Sequence, residues 1–364
     1  MPSPPTLEAL RRYAIVRSLF PPTTLAAAIE RLGFVQADPI RAPARAQDLT
    51  LRHRVRGYRA GDLERRYAKL DVHEDFFVNY GFLSARAWAL MHPRAGLPAW
   101  DAATRRRARD LIAFVQERGS VHPREVDAHF RHGVVTNAWG GASSATTQLL
   151  DALHYRGLLR VARREGGIRV YTPHLHAPRP RHAAARRVQV DALVDLVVAL
   201  HAPLPATTLG ALVARLRHAV PQHRNELADA LDRAKARLGR ARVDGAEWFW
   251  PSSEDPRATD ATVPEVVRLL APFDPVVWDR QRFERFWAWR YRFEAYTPKA
   301  KRALGYYALP MLWRERVIGW ATVEIRNGRL AARFGHVDSG VARDPLYRRA
   351  READLERMKR FLLL

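Results

Sequence analysis

The chain of 364 residues (41.5 kDa) carries 61 Lys and Arg against 38 Asp and Glu, a formal net charge of +23 at pH 7. This excess favours a polyanionic partner, either nucleic acid or an anionic membrane surface. Because the sequence has no cysteine, disulfide frameworks, thiolate nucleophiles, Cys-ligated zinc and iron–sulfur clusters are excluded. No run of 18 apolar residues occurs and the first residues lack the apolar core of a signal peptide, so we expect a soluble, cytoplasmic protein.

The first part of the chain predicts two helices and a strand. Apolar spacing indicates a helix over 6–19, which ends at a Pro-Pro pair, and a second helix over 24–32. Gly33 ends the second helix. Residues 34–40 (Phe-Val-Gln-Ala-Asp-Pro-Ile) then predict a strand that ends at a proline.

A second group of elements follows the order of a winged helix. Helices are predicted over 103–117, 123–130 and 146–156, and strands over 158–163 and 168–172. The segment between the two strands contains Gly-Gly and is suited to a hairpin turn. Three helices followed by a two-stranded wing are typical of this variant of the helix-turn-helix fold.

A third group repeats this order. Helices are predicted over about 188–200, 206–216 and 222–238, and strands over 240–243 and 246–250. Asp-Gly between the two strands is a strong signal for a two-residue turn. Together with the first part of the chain, which we interpret as the first module, the sequence therefore indicates three tandem winged helices.

The last part of the chain is predicted to be rich in strands. A linker is expected over 252–264, followed by alternating strands over 306–312, 316–325 and 330–336. A terminal helix is predicted over 349–364.

Two polar side chains lie on the predicted strand 34–40. Gln36 and Asp38 alternate with apolar residues, so the two-residue period of a strand places both on one face. Pro39 interrupts the strand, which suits a strand end that opens onto a cleft. The alternative is an aspartate that only ends a strand before a proline, with Gln36 at the surface.

Two stretches resemble the winged-helix DNA glycosylases of the AlkZ/YcaQ-like family, which contains the bacterial interstrand-crosslink glycosylases. The first comprises residues 34–40 and the Ala-Arg-Ala-Gln of 44–47. The second is longer and more specific, and comprises 270–280 (LAPFDPVVWDR), 296–302 (YTPKAKR) and 305–310 (GYYALP). Together with the three modules, the likeness covers nearly the whole chain.

The resemblance implies an α+β fold of three tandem winged-helix modules arranged in a C-shape, with a small C-terminal β-barrel. We expect the modules over 1–100, 101–180 and 181–255, and the β-barrel with the terminal helix over 256–364. It also implies excision of N7-alkylated purines from double-stranded DNA in DNA repair, including the unhooking of interstrand crosslinks.

The catalytic strand of the family carries Gln-x-Gln or Gln-x-Asp. Gln36 and Asp38 resemble the Gln-x-Asp branch, typified by the broader-specificity YcaQ-like enzymes. Family members commonly show Glu-x-Trp-x-His after this strand, whereas residues 74–78 (Glu-Asp-Phe-Phe-Val) lack that His. His73 lies nearby, and whether it substitutes is left open by the sequence. This departure bears on the substrate range more than on the reaction class.

The residue types fit this chemistry. N7-alkylguanine carries a positive charge and leaves readily, so the enzyme has to stabilise an oxocarbenium-like sugar and deliver water to C1′. A carboxylate performs both tasks, and we assign them to Asp38, with Gln36 holding the water or the sugar through its amide. Because no lysine occurs in residues 1–68, we expect no Schiff-base step and a monofunctional enzyme that leaves an abasic site.

Basic and polar residues supply candidate DNA contacts, because neutralisation of phosphates provides much of the affinity for DNA. The alternative for each candidate is a solvated face or, for the serine, a helix cap. The candidates are Arg41, Arg45, Arg52 and His53 after the catalytic strand, Ser144, Thr147 and Gln148 at the start of the recognition-like helix, Arg164 in the second wing, and Lys299, Lys301 and Arg302, where lysines cluster.

We expect neither a metal nor a small-molecule cofactor. His129 and His132 have too few neighbouring carboxylates for a zinc site, and no Gly-rich phosphate loop occurs. Four tryptophans are assigned to the core or the barrel: Trp278, Trp287, Trp289 and Trp313. Because a bulky crosslinked lesion cannot enter a deep base-flipping pocket, we expect an open cleft.

The leading interpretation is a monomeric DNA glycosylase that contacts no membrane and is associated with a bacterial nucleoid. One alternative is a non-catalytic winged-helix transcription regulator, and another is a family member with repurposed catalysis. The pair Gln36 and Asp38 separates the enzyme from the regulator, because a regulator needs neither residue.

Overall fold

Helices and strands alternate through the whole chain in the computed structural model. The residues whose structure is described are 3–95, 99–131, 133–136, 141–175, 182–258, 263–337 and 340–364. None of the helices within these ranges is long and apolar enough to cross a membrane.

The first two helices form as predicted, and the strand after them is shorter than predicted. Thr6 and Thr24 cap them by accepting the N–H of the third residue beyond, and Gly33 ends the second helix with φ +71°. The strand stops at Gln36, so Asp38 lies beyond its end rather than on it. The elements are α1 (Leu7–Ser18), α2 (Leu25–Leu32), β1 (Phe34–Gln36), α3 (Ala46–Leu51), α4 (Asp62–Arg66), a 3₁₀ turn (Tyr67–Lys69), β2 (Val72–Phe76), β3 (Tyr80–Ser84) and α5 (Ala85–Ala89).

The sheet of this first unit places β3 at its centre. Its antiparallel order is β1-β3-β2, and Gln36 pairs with Gly81. A side chain at position 81 would clash with the carbonyl of Val35 and the ring of Phe34, so only glycine allows this close approach. The end of β1 is thereby held against β3.

The second unit matches its predicted elements closely. The two-residue turn of its hairpin uses Gly166 and Gly167, both with positive φ. A short strand pair ahead of the third helix was not predicted. The elements are α6 (Ala102–Arg118), α7 (Pro123–Phe130), β4 (Val134–Thr136), β5 (Ala142–Ser144), α8 (Ala145–Tyr155), β6 (Leu159–Glu165) and β7 (Ile168–Pro173). His132 lies outside the described residues.

The third unit also follows the predicted order. Its predicted third helix, 222–238, divides into a 3₁₀ turn and a shorter α-helix, and the Asp244-Gly245 turn has positive φ at both residues. A two-residue strand completes a sheet of order β8-β10-β9. The elements are α9 (Ala183–His201), β8 (Leu204–Pro205), α10 (Ala206–Ala219), the 3₁₀ turn (Pro221–Glu226), α11 (Leu227–Arg237), β9 (Gly239–Val243) and β10 (Ala246–Trp250).

The C-terminal region, expected to be a small β-barrel, forms a curled half-barrel. Its four strands are ordered β11-β12-β13-β14, and no pairing joins the two outer strands within the described ranges. Four strands are too few to close around a packed interior, which takes about eight in common barrels. The elements are β11 (Val267–Leu269), α12 (Pro275–Trp278), α13 (Arg280–Trp287), two 3₁₀ turns (Lys299–Lys301 and Val341–Arg343), β12 (Ala308–Trp313), β13 (Arg316–Arg326), β14 (Arg329–His336) and α14 (Pro345–Leu362).

A buried ion pair joins the first unit to the C-terminal region. Both side chains of Arg54 and Asp274 are 0% exposed, and the guanidinium donates to the two carboxylate oxygens at 2.7 and 3.0 Å. The guanidinium also donates to the carbonyls of Thr50 and Ser18. Such a pair is favourable only when its hydrogen bonds are satisfied, as they are here.

We expect Arg54→Met to lower the free energy of unfolding by roughly 3–5 kcal/mol, because it leaves the buried Asp274 carboxylate without its ion-pair partner. Adding Asp274→Asn should restore part of the loss, since no unpaired charge then remains. Urea unfolding measures both effects. Arg257→Met is the control, because it breaks a surface pair with Asp255 and should change the urea midpoint little. Equal shifts for Arg54→Met and Arg257→Met would contradict the role of the buried pair.

Candidate active site

A cleft of about 660 Å³ opens where β1 ends. Its walls come from the end of β1, the start of α3, the β2–β3 turn, the β6–β7 hairpin, and the loops before α12 and after α13. Three distant parts of the chain therefore meet around the two residues singled out in the sequence, Gln36 and Asp38, which both line this cleft.

Asp38 presents a carboxylate without a cationic partner. Its side chain is 8% exposed, and Oδ1 accepts the N–H of Ile40 at 2.9 Å. Its own N–H donates to Oε1 of Gln47, on α3, at 3.3 Å. Burial raises the pKa of Asp38, and the Ile40 N–H opposes this shift. No Lys, Arg or His in the described ranges forms an ion pair with it, so the cleft holds a negative charge that can face a cation.

Gln36 is held by a tryptophan from the C-terminal region. The indole Nε1–H of Trp278 donates to Oε1 of Gln36 at 2.9 Å. Because an indole N–H can only donate, this contact defines which atom of the amide is the oxygen and leaves Nε2 as a donor for another group. The sequence placed Trp278 in the core. The only sequence feature that pointed to a role for Trp278 at the site was its position in the 270–280 motif.

Three arginines form one wall of the cleft, and a carboxylate pairs with each of them. Arg164 makes a bidentate pair with Glu74, with distances of 2.6 and 2.8 Å. The side chain of Glu74 is 0% exposed and also accepts the hydroxyl of Tyr80 at 3.0 Å. The other two pairs are Arg45–Glu64 and Arg169–Asp151. Arg45 and Arg164 were predicted as DNA contacts, and the structure brings both to the cleft.

Aromatic rings form another wall. Phe293 packs edge to face with Phe273 and with Tyr296, at centroid distances of 5.1 and 6.0 Å. Tyr296 is 79% exposed, although it lines the cleft. Tyr307 packs edge to face on Phe293. Burial, together with the charge of Asp38, raises the pKa of Tyr307. The sequence analysis assigned none of these rings to the site.

His73 does not enter the cleft. Its ring stacks on Trp88 at 4.2 Å and lines a different pocket, and burial lowers its pKa to about 4. It therefore does not take the place of the missing family His. The acidic residue of that motif, Glu74, is the one that reaches the site, through Arg164 and Tyr80.

Two of the predicted DNA contacts, Arg52 and His53, interact with the C-terminal region. Arg52 forms an ion pair with Asp354 of α14 at 2.8 Å, and its side chain is only 4% exposed. Nε2 of His53 contacts the carbonyl of Leu269 at 2.9 Å, and burial lowers the pKa of the ring. Both contacts join the first unit to the C-terminal region. Nothing in their sequence position distinguishes them from the neighbouring exposed arginines.

The remaining predicted contacts lie in several places. The Ser144 hydroxyl caps α8 and donates to Asp127 at 2.8 Å, so it serves the fold. Thr147 is half-buried, and the amide of Gln148 donates to the Thr136 carbonyl. Neither of these two lines the cleft.

Arg41 lines a groove that shares Arg45 and Arg164 with the cleft. Lys299 and Lys301 are exposed, and Arg302 is half-buried beside Tyr306. Within the described ranges, no three His, Asp and Glu side chains come together as a metal site would require.

Comparison with known protein families identifies the class of enzyme. A family model described as DNA glycosylase AlkZ-like matches residues 29–361. The chain therefore belongs to the AlkZ-like DNA glycosylase family, as its sequence motifs implied. It is a DNA glycosylase, an enzyme of DNA repair whose substrate is DNA, and this favours the enzyme over the regulator.

A solved structure shows the same fold. The Streptomyces sahachiroi DNA glycosylase AlkZ is similar to this chain at 16% sequence identity, with a TM-score of 0.63. The match covers 99% of this chain and 97% of the Streptomyces chain.

We expect Trp278→Phe to slow base excision roughly ten- to hundredfold, because the Gln36 amide loses the bond that orients it. The rate is measured in a single turnover on a duplex with one N7-methylguanine, the substrate expected from the sequence. Trp287→Phe is the control, since the Trp287 indole also donates one hydrogen bond, to the Glu315 carbonyl, outside the cleft. A Trp278→Phe enzyme as fast as the control would show that this contact has no role in the reaction.

Proposed function

We propose that this enzyme is a monofunctional glycosylase that hydrolyses the N-glycosidic bond of N7-alkylated purines in double-stranded DNA. The observation that carries the proposal is the Asp38 carboxylate, which lies in the cleft with no cationic partner in the described structure. A cationic base and a cationic sugar are the groups that such a carboxylate stabilises best.

In the proposed reaction, Asp38 faces the sugar as its bond to the base lengthens. Its negative charge stabilises the oxocarbenium-like sugar, and it accepts a proton from the water that attacks C1′. The Gln36 amide, fixed by Trp278, uses its N–H₂ to hold the water or a sugar oxygen. The base departs with the bonding electron pair, which neutralises its positive charge, so no general acid is required.

The aromatic wall supports a cationic base as the leaving group. Phe273, Phe293 and Tyr296 line the cleft together with Asp38. An aromatic face attracts a cation with about 0.5–2 kcal/mol, and this attraction ends when the base becomes neutral. The wall therefore favours an N7-alkylated purine over an unmodified one during binding.

The composition of the cleft walls from separate parts of the chain supports a bulky lesion as the substrate. Residues from the first unit, the β6–β7 hairpin and the C-terminal region enclose it, so the cleft is a junction between separate parts of the chain. We propose that this arrangement admits a purine still linked to the opposite strand, and that unhooking of interstrand crosslinks belongs to the activity.

The DNA path is proposed from the cations in and around the cleft. We assign phosphate contacts to Arg41, Arg45 and Arg164 at the cleft, and to Lys299, Lys301 and Arg302 on the segment after Tyr296. Thr147 and Gln148, at the start of α8, are proposed as contacts of a recognition helix.

We also interpret the fold in these terms. The helices followed by a β-sheet in 1–100, 101–180 and 181–255 support three winged-helix modules, with 256–364 as the C-terminal unit. The proposed enzyme acts as a monomer associated with the nucleoid, and its reaction uses water and no cofactor.

We expect Asp38→Asn to abolish excision of N7-methylguanine and to leave the affinity for undamaged duplex within a few fold. Asparagine can keep the bond from the Ile40 N–H but can neither carry the negative charge nor accept a proton from water. Alkali cleavage of the abasic product, separated on a gel, measures excision. Full activity in this variant would contradict the assignment of Asp38. An inactive wild type on this lesion and on a nitrogen-mustard crosslink would contradict the proposed substrate.

A further inference from the structure

A second groove crosses the curled sheet of the C-terminal region. It has a volume of about 500 Å³ and lies between the segment 299–306 and strands β13 and β14. We call it the sheet groove, and define it by six lining residues: Lys299, Arg302, Tyr306, Trp320, Arg333 and Phe334. It shares no lining residue with the cleft that holds Asp38.

The cations of the sheet groove are not neutralised. Within the described part of the chain, Lys299, Arg302 and Arg333 form no ion pair with a carboxylate. The arginines of the catalytic cleft differ, because each of them is paired with an acidic side chain. The sheet groove therefore keeps the full positive charge of its walls, and this charge attracts a polyanion.

Two aromatic side chains of the groove, Tyr306 and Trp320, are held by contacts with neighbouring residues. Tyr306 is 44% exposed, and the Arg302 guanidinium lies 4.9 Å from its ring centre. Trp320 stacks on Trp289 at 5.8 Å, and its Nε1–H donates to the Leu304 carbonyl at 3.0 Å. A side chain at Gly335 would clash with the Trp320 ring, so this glycine lets the indole lie close against β14.

One segment connects the two sites. Tyr296 lies at the cleft, Tyr306 lies in the sheet groove, and the residues between them carry Lys299, Lys301 and Arg302. A strand that leaves the cleft along this segment would meet an aromatic side chain at each end and three cationic side chains between them.

We propose that the sheet groove binds an unpaired DNA strand, with a base stacked on Tyr306 and phosphates held by Lys299, Arg302 and Arg333. Exposed aromatic faces between cations are the features that recognise single-stranded nucleic acid. The bases of an intact duplex are stacked on one another, so a duplex would use only the cations. The enzyme then has a second DNA-binding site, and it acts best on lesions that adjoin an unpaired strand. This inference rests on the DNA glycosylase activity and does not depend on the role of Asp38.

The first test measures the affinity for a fluorescein-labelled oligothymidylate, which forms no duplex, by anisotropy. Tyr306→Ala should weaken this binding about fivefold to 100-fold, because one base loses its stacking partner. Tyr306→Phe keeps the ring and should bind within about twofold of the wild type. Affinity for an intact duplex should be the same in all three proteins, and an unchanged urea midpoint shows that they fold alike.

Two results would overturn the proposal. Tyr306→Ala could bind the oligothymidylate as tightly as the wild type, which would show that no base stacks there. Alternatively, Tyr306→Ala could weaken duplex and single strand equally, which would assign the sheet groove to duplex binding.

The second test uses the salt dependence of the same binding. Arg333→Ala should reduce the slope of log K against log salt by about 0.7, the value for one lost phosphate contact on a single strand. Arg329→Ala is the matched control, because Arg329 is exposed on the same strand and does not line the groove. Its slope should equal that of the wild type. Equal slopes for Arg333→Ala and Arg329→Ala would contradict a phosphate site in the groove.

Discussion

The arrangement of the cleft depends on the buried ion pair between Arg54 and Asp274. Arg54 belongs to the unit that carries β1, and Asp274 belongs to the C-terminal region. The same Asp274 carboxylate accepts the N–H of Val276 and so caps α12, the short helix that ends with Trp278. The indole of Trp278 then orients the Gln36 amide. One desolvated carboxylate therefore connects the docking of two distant parts of the chain to the geometry of the site.

The charged side chains are paired differently in the catalytic cleft and in the sheet groove. In the catalytic cleft, each arginine is paired with a carboxylate such as Glu74, so the arginines form part of the wall while its net charge stays low. In the proposed reaction, this balance keeps Asp38 available for a cationic base and sugar. In the sheet groove the cations have no such partners within the described ranges, which suits binding of phosphates. The net charge of +23 alone cannot distinguish these two uses.

Local signals predicted much of the fold. The helix Pro123–Phe130 and the strand Ala246–Trp250 occur over their predicted residues, because caps, glycines and the Asp-Gly turn act on neighbouring residues. The strands β2 and β3 were not predicted. In β2 the successive residues Glu74 and Asp75 are both buried, which breaks the two-residue polar alternation. Arg164, the partner of Glu74, lies far along the chain, and Arg94, the partner of Asp75, lies in a loop. No local sequence pattern therefore predicts these two ion pairs.

The same limit applies to the site. Gln36 and Asp38 could be selected from the sequence because the two-residue period of a strand places both on one face just before a proline, and the family resemblance added their roles. The bond from Trp278 spans 242 positions, and no spacing rule reaches that far. Arg52 and His53 were predicted as DNA contacts because they look like surface cations, whereas the fold uses both to join its two ends. Whether a sheet closes also depends on long-range pairing, so the sequence could not show that the expected small β-barrel is a curled half-barrel.

The most direct test of the central claim, that an ionised Asp38 drives excision, is the pH dependence of the single-turnover rate on an N7-methylguanine duplex. Because burial raises the pKa of Asp38, the carboxylate is protonated at a higher pH than an ordinary aspartate, near 3.9. The rate, after subtraction of spontaneous depurination, should be level near neutral pH and should fall in acid with a midpoint above that of an ordinary aspartate. A rate that stays level or rises through this range would contradict the account.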